Sequence, residues 1–71
     1  MHIMAEHIVN HVHELRTKRG MTQEELANTV GVSRQTVIAI EKGNYTPSVL
    51  LALRIAETFK KPVEDVFVIR S

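Results

Sequence analysis

The fold is decided by residues 22–41, which read Thr22-Gln-Glu-Glu-Leu-Ala-Asn-Thr-Val-Gly-Val-Ser-Arg-Gln-Thr-Val-Ile-Ala-Ile-Glu41. Thr22 is followed three residues later by Glu25, the spacing of a capping box at the start of a helix. Ser33 is a second residue of the type that caps helix starts, and Gly31 permits a sharp backbone turn before it. The stretch therefore predicts two short helices, about 23–29 and about 33–42, joined by a tight turn.

Start and stop signals of the same kind lie on both sides of this helix pair. Asn10 is a candidate N-cap for a first helix, which Gly20 would end in a left-handed conformation. Pro47 prevents a helix from running through the connector, Ser48 caps the next helix, and Pro62 opens one last helical turn. The further helical ranges are about 11–19, about 49–59 and about 62–65.

The two ends of the chain have strand character. Residues 66–70 are β-branched or aromatic up to the final Arg, and residues 3–9 form the only other stretch of this kind. Because a lone strand leaves its backbone groups unpaired, we expect the two ends to pair in an antiparallel ribbon. The predicted fold class is all-α, with five helices and a small two-stranded antiparallel β-ribbon from the N- and C-terminal segments.

Helical periodicity predicts a core and also a surplus of apolar residues. The inward positions of the first three helices are Val12, Leu15, Leu26, Ala27, Val30, Val37 and Ile40. The fourth helix is expected to turn one broad face inward, formed by Val49, Ala52, Leu53, Ile55, Ala56 and Phe59. Leu50 and Leu51 lie outside the centre of that face, so they either widen the core face or form a self-association surface. Since the apolar ribbon also needs cover, we expect a homodimer whose interface includes Leu50, Leu51, Phe67 and Ile69.

Composition restricts the possible functions. Seventy-one residues make one small domain, residues 1–71, and the absence of cysteine excludes disulfides and Cys-based zinc sites. A net charge of +1 means that binding to nucleic acid would need a local patch. There is no signal-peptide pattern and no long apolar segment, so we expect a cytoplasmic protein without a membrane segment. Since no phosphate-binding loop or activated nucleophile is present, we expect no enzymatic activity, cofactor or small-molecule ligand.

Five motifs connect the chain to a known family. They are Leu15-Arg16, Gly20-Met21-Thr22-Gln23-Glu24-Glu25-Leu26-Ala27, Val30-Gly31-Val32-Ser33-Arg34-Gln35-Thr36-Val37, Ile40-Glu41-Lys42-Gly43 and Pro47-Ser48. With these motifs the chain resembles the Cro and lambda-repressor-like (XRE) helix-turn-helix regulators over roughly residues 12–65. The resemblance implies that residues 22–42 are a helix-turn-helix unit, with its second helix in the major groove of double-stranded DNA and its first across the phosphate backbone. The expected function is a dimeric transcriptional repressor that reads a palindromic operator.

The second helix of the unit supplies the candidate base contacts. These are Ser33, Arg34, Gln35, Ile38 and Ala39. Arg34 and Gln35 point outward, and their side chains can pair bidentately with guanine and adenine, respectively. Ile38 and Ala39 are apolar where the family often has polar residues; they either contact thymine methyl groups, or touch the sugar or pack beside Leu50.

The candidate phosphate contacts lie at two places. They are Gln23, Thr36, Lys42, Asn44 and Tyr45. Gln23 combines a side-chain donor with free backbone N–H groups at a helix start, and the resemblance places further contacts at the far end of the unit. Lys42 has an alternative role as a solvated surface lysine, and the ring of Tyr45 has an alternative role in covering the edge of the core.

Arg16 and Glu41 have a structural role by resemblance. The matching residues of the family join the first helix to the DNA-reading helix through a partly buried salt bridge. Because desolvation offsets much of the Coulomb attraction, such a pair fixes orientation more than it adds stability.

Two other functions compete with DNA reading. His2, His7, His11 and His13 cluster at the start of the chain, where His7 and His11 have the spacing of a helical metal pair. No carboxylate or Cys completes such a site, so we predict no metal and consider a pH-sensitive dimer contact instead. A domain of this fold also serves as an antitoxin or bridging protein, because fold does not determine function.

Overall fold

The computed structural model describes residues 6–70 and consists of four α-helices, one 3-10 helix and a two-stranded sheet. In chain order the elements are β1 (His7–Asn10), α1 (Val12–Lys18), α2 (Gln23–Val30), α3 (Arg34–Glu41), α4 (Val49–Thr58), the 3-10 helix (Val63–Asp65) and β2 (Phe67–Arg70). The predicted count of five helices is therefore wrong by one. Between Pro62 and β2 there is room only for a single turn, closed by a bond from Val66 N to Val63 O at 3.0 Å.

The start of α1 differs from the prediction. Its N-cap is His11 rather than Asn10, because Asn10 is still the last residue of β1.

The local start signals of the next three helices act as the sequence predicts. Thr22 Oγ1 accepts a bond from Glu25 N at 3.0 Å, and Thr22 N donates to Glu25 Oε1 at 2.8 Å, which completes the capping box. Ser33 and Ser48 begin α3 and α4 alike, each accepting from the backbone N–H three residues later at 3.2 Å. Gly31 has the left-handed backbone (φ 81°) that the turn between α2 and α3 requires.

The ribbon joins the two ends of the described chain. Antiparallel pairing places Ile8 opposite Ile69 and Asn10 opposite Phe67. The first strand, predicted for residues 3–9, is observed at residues 7–10, and residues 3–5 lie outside the described part. Phe67 packs partly buried against the helical core, whereas Ile8 and Ile69 are exposed.

The core is aliphatic apart from one phenylalanine, and it corrects the predicted rotation of α4. Its buried residues are Val12, Leu26, Ala27, Val30, Val37, Ile40, Leu51, Ile55, Ala56, Phe59 and Val66. Leu51 is only 7% exposed, whereas Val49 and Leu53, which were expected inside, are 76% and 50% exposed. The first two turns of α4 are apolar nearly all round, so periodicity alone did not determine which side faces inward. Leu15, also predicted for the core, is only partly buried.

No helix among residues 6–70 is both long and apolar enough to cross a membrane.

Candidate nucleic-acid interface

The N-terminal half of α3 presents polar side chains to the outside. Arg34 and Gln35 are exposed, and neither side chain makes a hydrogen bond or salt bridge with any other residue in the range 6–70. On the opposite side of the helix, Val37 and Ile40 are each 1% exposed and belong to the core. Burial of one face therefore fixes the helix while leaving the donors and acceptors of the other face available to a partner.

Ser33 and Thr36 form a small hydroxyl pair beside these residues. Ser33 Oγ accepts from Thr36 N and lies 3.0 Å from Thr36 Oγ1. The Ser33 hydroxyl therefore already serves as the cap of α3, which limits its remaining capacity for a base. Thr36 is half-buried, as are the apolar outward candidates Ile38 and Ala39.

The remaining phosphate candidates follow the C-terminal end of α3. Lys42, Asn44 and Tyr45 are all exposed. Backbone bonds hold this segment in place, because Lys42 N donates to Ile38 O at 3.0 Å and Asn44 N donates to Ala39 O at 2.9 Å. Tyr45 lines a groove between this loop and the ribbon.

Arg16 and Glu41 are the centre of a network that joins α1 to α3 and, through Gln23, to α2. Arg16 Nε donates to Glu41 Oε2 at 2.6 Å and Arg16 Nη2 donates to Glu41 Oε1 at 3.2 Å, a two-pronged contact between side chains that are 10% and 7% exposed. Arg16 Nη1 also donates to the Met21 carbonyl at 2.9 Å. His13 Nδ1 lies 3.3 Å from Glu41 Oε1 and 3.0 Å from Arg16 Nη2. The network holds the C-terminal end of α3 against α1.

Two opposing effects determine the pKa of Glu41. Burial of the carboxyl raises the pKa, but hydrogen bonds from Arg16, Gln23 and His13, together with the charge of Arg16, lower it by more. The net result is a pKa below the ordinary value for glutamate. The same hydrogen bond to Glu41 raises the pKa of Arg16 despite the desolvation of the guanidinium. Both groups are therefore held in their charged forms.

The structure corrects the expected role of the Gln23 side chain. Gln23 Nε2 donates to Glu41 Oε1 at 3.2 Å, so the side-chain donor predicted for a phosphate is engaged within the protein. Beside the start of α2 lies a cleft whose lining includes Thr22, Glu24 and Arg34. Here Arg34 is a candidate for an anion contact that the sequence reasoning did not assign to it.

Two members of the site were missed from the sequence. His13 lies three residues before Arg16, a spacing that places both side chains on one face of α1 and could have indicated their contact. Asn10 Nδ2 donates to the Ile40 carbonyl of α3 at 2.8 Å, a contact across thirty positions that no local pattern indicates.

A second surface is apolar rather than polar. Val49, Leu50 and Leu53 are exposed together on the outer side of α4, and we call them the α4 patch. The predicted interface residue Leu51 does not belong to this patch because it is buried in the core of its own chain. The ribbon adds Ile8 and Ile69, which are 41% and 67% exposed.

Of the four histidines singled out above, His2 lies outside the described residues and the other three are dispersed. His7 lies in β1, whereas His11 Nδ1 is 3.1 Å from Glu14 Oε1 beside the start of α1. Within residues 6–70 no group of three or more His, Cys, Asp or Glu side chains is arranged to hold a metal ion.

Sequence comparison places this chain among proteins with the same architecture. The family model described as "Helix-turn-helix" matches residues 12–66. An uncharacterized HTH-type transcriptional regulator of Bacillus subtilis, YgzD, is 60% identical over 58 residues, which are 82% of this chain and 88% of the relative. The transcriptional repressor RstR of the cryptic phage CTXphi from Vibrio cholerae is 33% identical over 54 residues, which are 76% of this chain and 49% of that protein.

Solved structures agree with this grouping. The restriction-modification controller protein C.AhdI of Aeromonas hydrophila superposes with a TM-score of 0.71 at 31% identity, covering 76% of this chain and 82% of the controller. The transcriptional regulator VanUg has a TM-score of 0.75 over 99% of this chain and 93% of its own, and its 22% identity supports the likeness of fold only.

Proposed function

This chain belongs to the helix-turn-helix family of transcriptional regulators, which are not enzymes, and we propose that it is a homodimeric repressor of a palindromic double-stranded DNA operator. One observation carries the proposal. Arg34 and Gln35 stand exposed and unpaired among the described residues, at the start of a helix whose other face is buried. A helix presented in this way fits the major groove, where a side chain reads a base pair by its donors and acceptors.

The proposed contacts divide into base readers and phosphate contacts. Arg34 and Gln35 are the principal base readers, with Ser33, Ile38 and Ala39 as neighbours at the groove floor. The phosphate contacts are the backbone N–H groups at Gln23 and the side chains of Thr36, Lys42, Asn44 and Tyr45. Since the net charge is only +1, these local contacts rather than bulk charge must orient the protein.

The exposed apolar surface and the size of the site support the proposed homodimer. The α4 patch and the ribbon pair Ile8 and Ile69 expose aliphatic area that a second copy would cover. We propose an interface that keeps Leu50 and Ile69 of the expected set and adds the exposed residues Val49, Leu53 and Ile8. It omits Leu51, which is buried, and Phe67, which packs against the core of its own chain. One reading helix contacts few base pairs, and two half-sites related by a two-fold axis supply the missing specificity.

The repressor activity is supported by likeness to RstR, a transcriptional repressor of which this chain matches about half. A repressor needs only to occupy its operator, so the DNA-reading surface and the dimer suffice for this activity.

Selection from a random pool of duplex DNA tests the proposal. The full chain should enrich a palindrome whose half-sites are centred about one helical turn apart, roughly 10 base pairs. Affinity for that palindrome should fall steeply between about 50 mM and 200 mM salt because phosphate contacts release counterions. An Arg34→Ala/Gln35→Ala protein, altered only at two exposed positions, is the matched control and should enrich no consensus.

Failure of the wild-type chain to enrich any consensus would overturn DNA reading. That outcome would favour the protein-interaction function, as an antitoxin or bridging protein, for which the α4 patch is the supporting observation.

A further inference from the structure

Asn10 occupies the point where the ribbon, α1 and α3 meet. It is the last residue of β1, and its partly buried amide makes one bond in each direction. The oxygen Oδ1 accepts from Val12 N at 3.1 Å and so satisfies the start of α1, while Nδ2 donates to the Ile40 carbonyl at 2.8 Å. Reversing the amide would place its NH₂ against an N–H and its oxygen against a carbonyl, so both contacts depend on one orientation.

The bond to Ile40 is structurally distinct from the other attachments of α3. Among residues 6–70, it is the only hydrogen bond that joins the ribbon to α3. The Glu41 network ties the same end of α3 to α1 and α2. Next to Asn10, His11 N donates to Val66 O at 2.9 Å, which holds the strand in register with the end of the 3-10 helix. A displacement of the ribbon is therefore transmitted directly to α3 at Asn10.

We propose that Asn10 is a positioning residue that couples the ribbon to the reading helix and thereby sets the half-site spacing that the dimer accepts. This inference rests on the proposed function, in which the ribbon residues Ile8 and Ile69 contact a second copy and α3 reads DNA. In such a dimer, the distance between the two copies of Arg34 depends on how firmly each α3 follows its own ribbon. Loss of the bond uncouples the C-terminal end of α3 from the ribbon while the Glu41 network still holds it to α1 and α2. A small shift at this end then changes the position of the opposite end of this eight-residue helix.

Two substitutions of Asn10 separate its contact with α3 from its contact with the start of α1. Asn10→Ser and Asn10→Asp both retain an oxygen that can accept from the backbone N–H two residues later, as in Asx and Ser/Thr turns. Both remove the donor to Ile40, and only Asn10→Asp adds a charge. An effect common to both variants therefore reports the lost donor, and an effect confined to Asn10→Asp reports the charge and contradicts the inference.

Amide hydrogen exchange tests the attachment without DNA. The amides of Lys42, Gly43 and Asn44 close the end of α3 through bonds to Ile38, Ile40 and Ala39 carbonyls, respectively. In both variants these three amides should exchange about fivefold faster than in the wild type, which is the effect expected from one lost hydrogen bond. The exchange rates of the amides in α2 should stay unchanged. An equal acceleration in α2 and at the end of α3 would show general destabilisation and overturn the inference.

A spacing series tests the coupling itself. The selected operator is compared with versions in which one base pair is inserted or removed between the half-sites. The wild type should bind the selected spacing more tightly than the altered spacings. In both variants the ratio of these affinities should be about fivefold smaller. A uniform loss of affinity at every spacing, or unchanged discrimination, would overturn the role of Asn10 while leaving DNA reading intact. If the wild type binds no duplex, the proposed function and the spacing role both fail. The exchange experiment then still tests whether the Asn10–Ile40 bond holds the end of α3.

Discussion

Helices α3 and α4 begin alike and present opposite chemistry to their surroundings. Each starts at a serine that accepts the N–H three residues later at 3.2 Å, and each buries an aliphatic stripe in the same core. The outward side of α3 begins with Arg34 and Gln35, whereas the outward side of α4 is the α4 patch of Val49, Leu50 and Leu53. Helix formation and partner choice are therefore encoded by separate residues, the first by caps and core positions and the second by the outward face.

The two helices also differ in how they are held. α3 is fixed by directional bonds to its C-terminal end, from Arg16 to Glu41 and from Asn10 to Ile40. The side-chain hydrogen bonds of α4 within the described residues are local, such as Thr58 Oγ1 to Arg54 O, and aliphatic packing holds the helix. A DNA reader needs a defined angle, which hydrogen bonds specify better than aliphatic contact does.

The largest expected effect comes from placing charge on the outward face of α4. Leu50→Glu should dissociate the proposed dimer, because two copies of a leucine lose their burial, about 4 kcal/mol per dimer. Analytical ultracentrifugation measures the mass. Asn28→Glu, which adds the same charge at an exposed position of α2, should remain dimeric. A Leu50→Glu protein with the wild-type mass would exclude the α4 patch from the interface.

Removal of the carboxylate from the Arg16–Glu41 salt bridge should have the next largest effect, on the free energy of unfolding. Glu41→Ala leaves the 10% exposed Arg16 side chain without its carboxylate, and we expect a loss of about 3 kcal/mol in the free energy of unfolding. The double change Arg16→Met/Glu41→Leu removes both charges and should cost less, measured by urea titration. Equal losses for the single and double changes would show that the unpaired charge of Arg16 does not cause the loss of stability in Glu41→Ala.

Substitutions on the outward face of α3 should alter DNA preference with little change in stability. Gln35→Ala should relax preference at one base-pair position by roughly 1–3 kcal/mol, because a bidentate base contact is lost. The comparison variant is Lys42→Ala, which should weaken binding to all DNA sequences alike. It should also reduce the slope of log affinity against log salt concentration by about one. Binding curves for operators changed at single positions distinguish the two patterns, and a uniform loss for Gln35→Ala would remove it from the base readers.

The smallest expected effect is a pH dependence of stability. Because the folded pKa of Glu41 lies below its unfolded value, its contribution is present above the unfolded pKa and is lost as pH falls through the folded pKa. Between about pH 5 and about pH 3, the free energy of unfolding should fall more steeply for the wild type than for Glu41→Gln. Parallel slopes in denaturant titrations over this interval would contradict the lowered pKa.

Resemblance and local patterns together predicted α2, α3 and the turn between them. The motifs from Gly20 to Gly43 indicated a helix-turn-helix regulator, and the family comparison confirms that membership. The antiparallel pairing of the chain ends was also predicted, since two apolar strands in one small chain have only each other to pair with. Neither feature depends on how the helices pack.

Elements whose physical causes are local could be predicted from the sequence alone. Thr22 with Glu25, and Ser33 and Ser48, act on backbone groups within one turn, so helix starts were predictable from spacing alone. The structure decided what depends on distant partners. Leu51 rather than Leu53 faces inward because the neighbouring elements fix the rotation of α4, and Gln23 turns to Glu41 because α3 brings a buried carboxylate beside it. Such contacts join residues far apart in the chain, and only packing reveals which donors remain free for DNA.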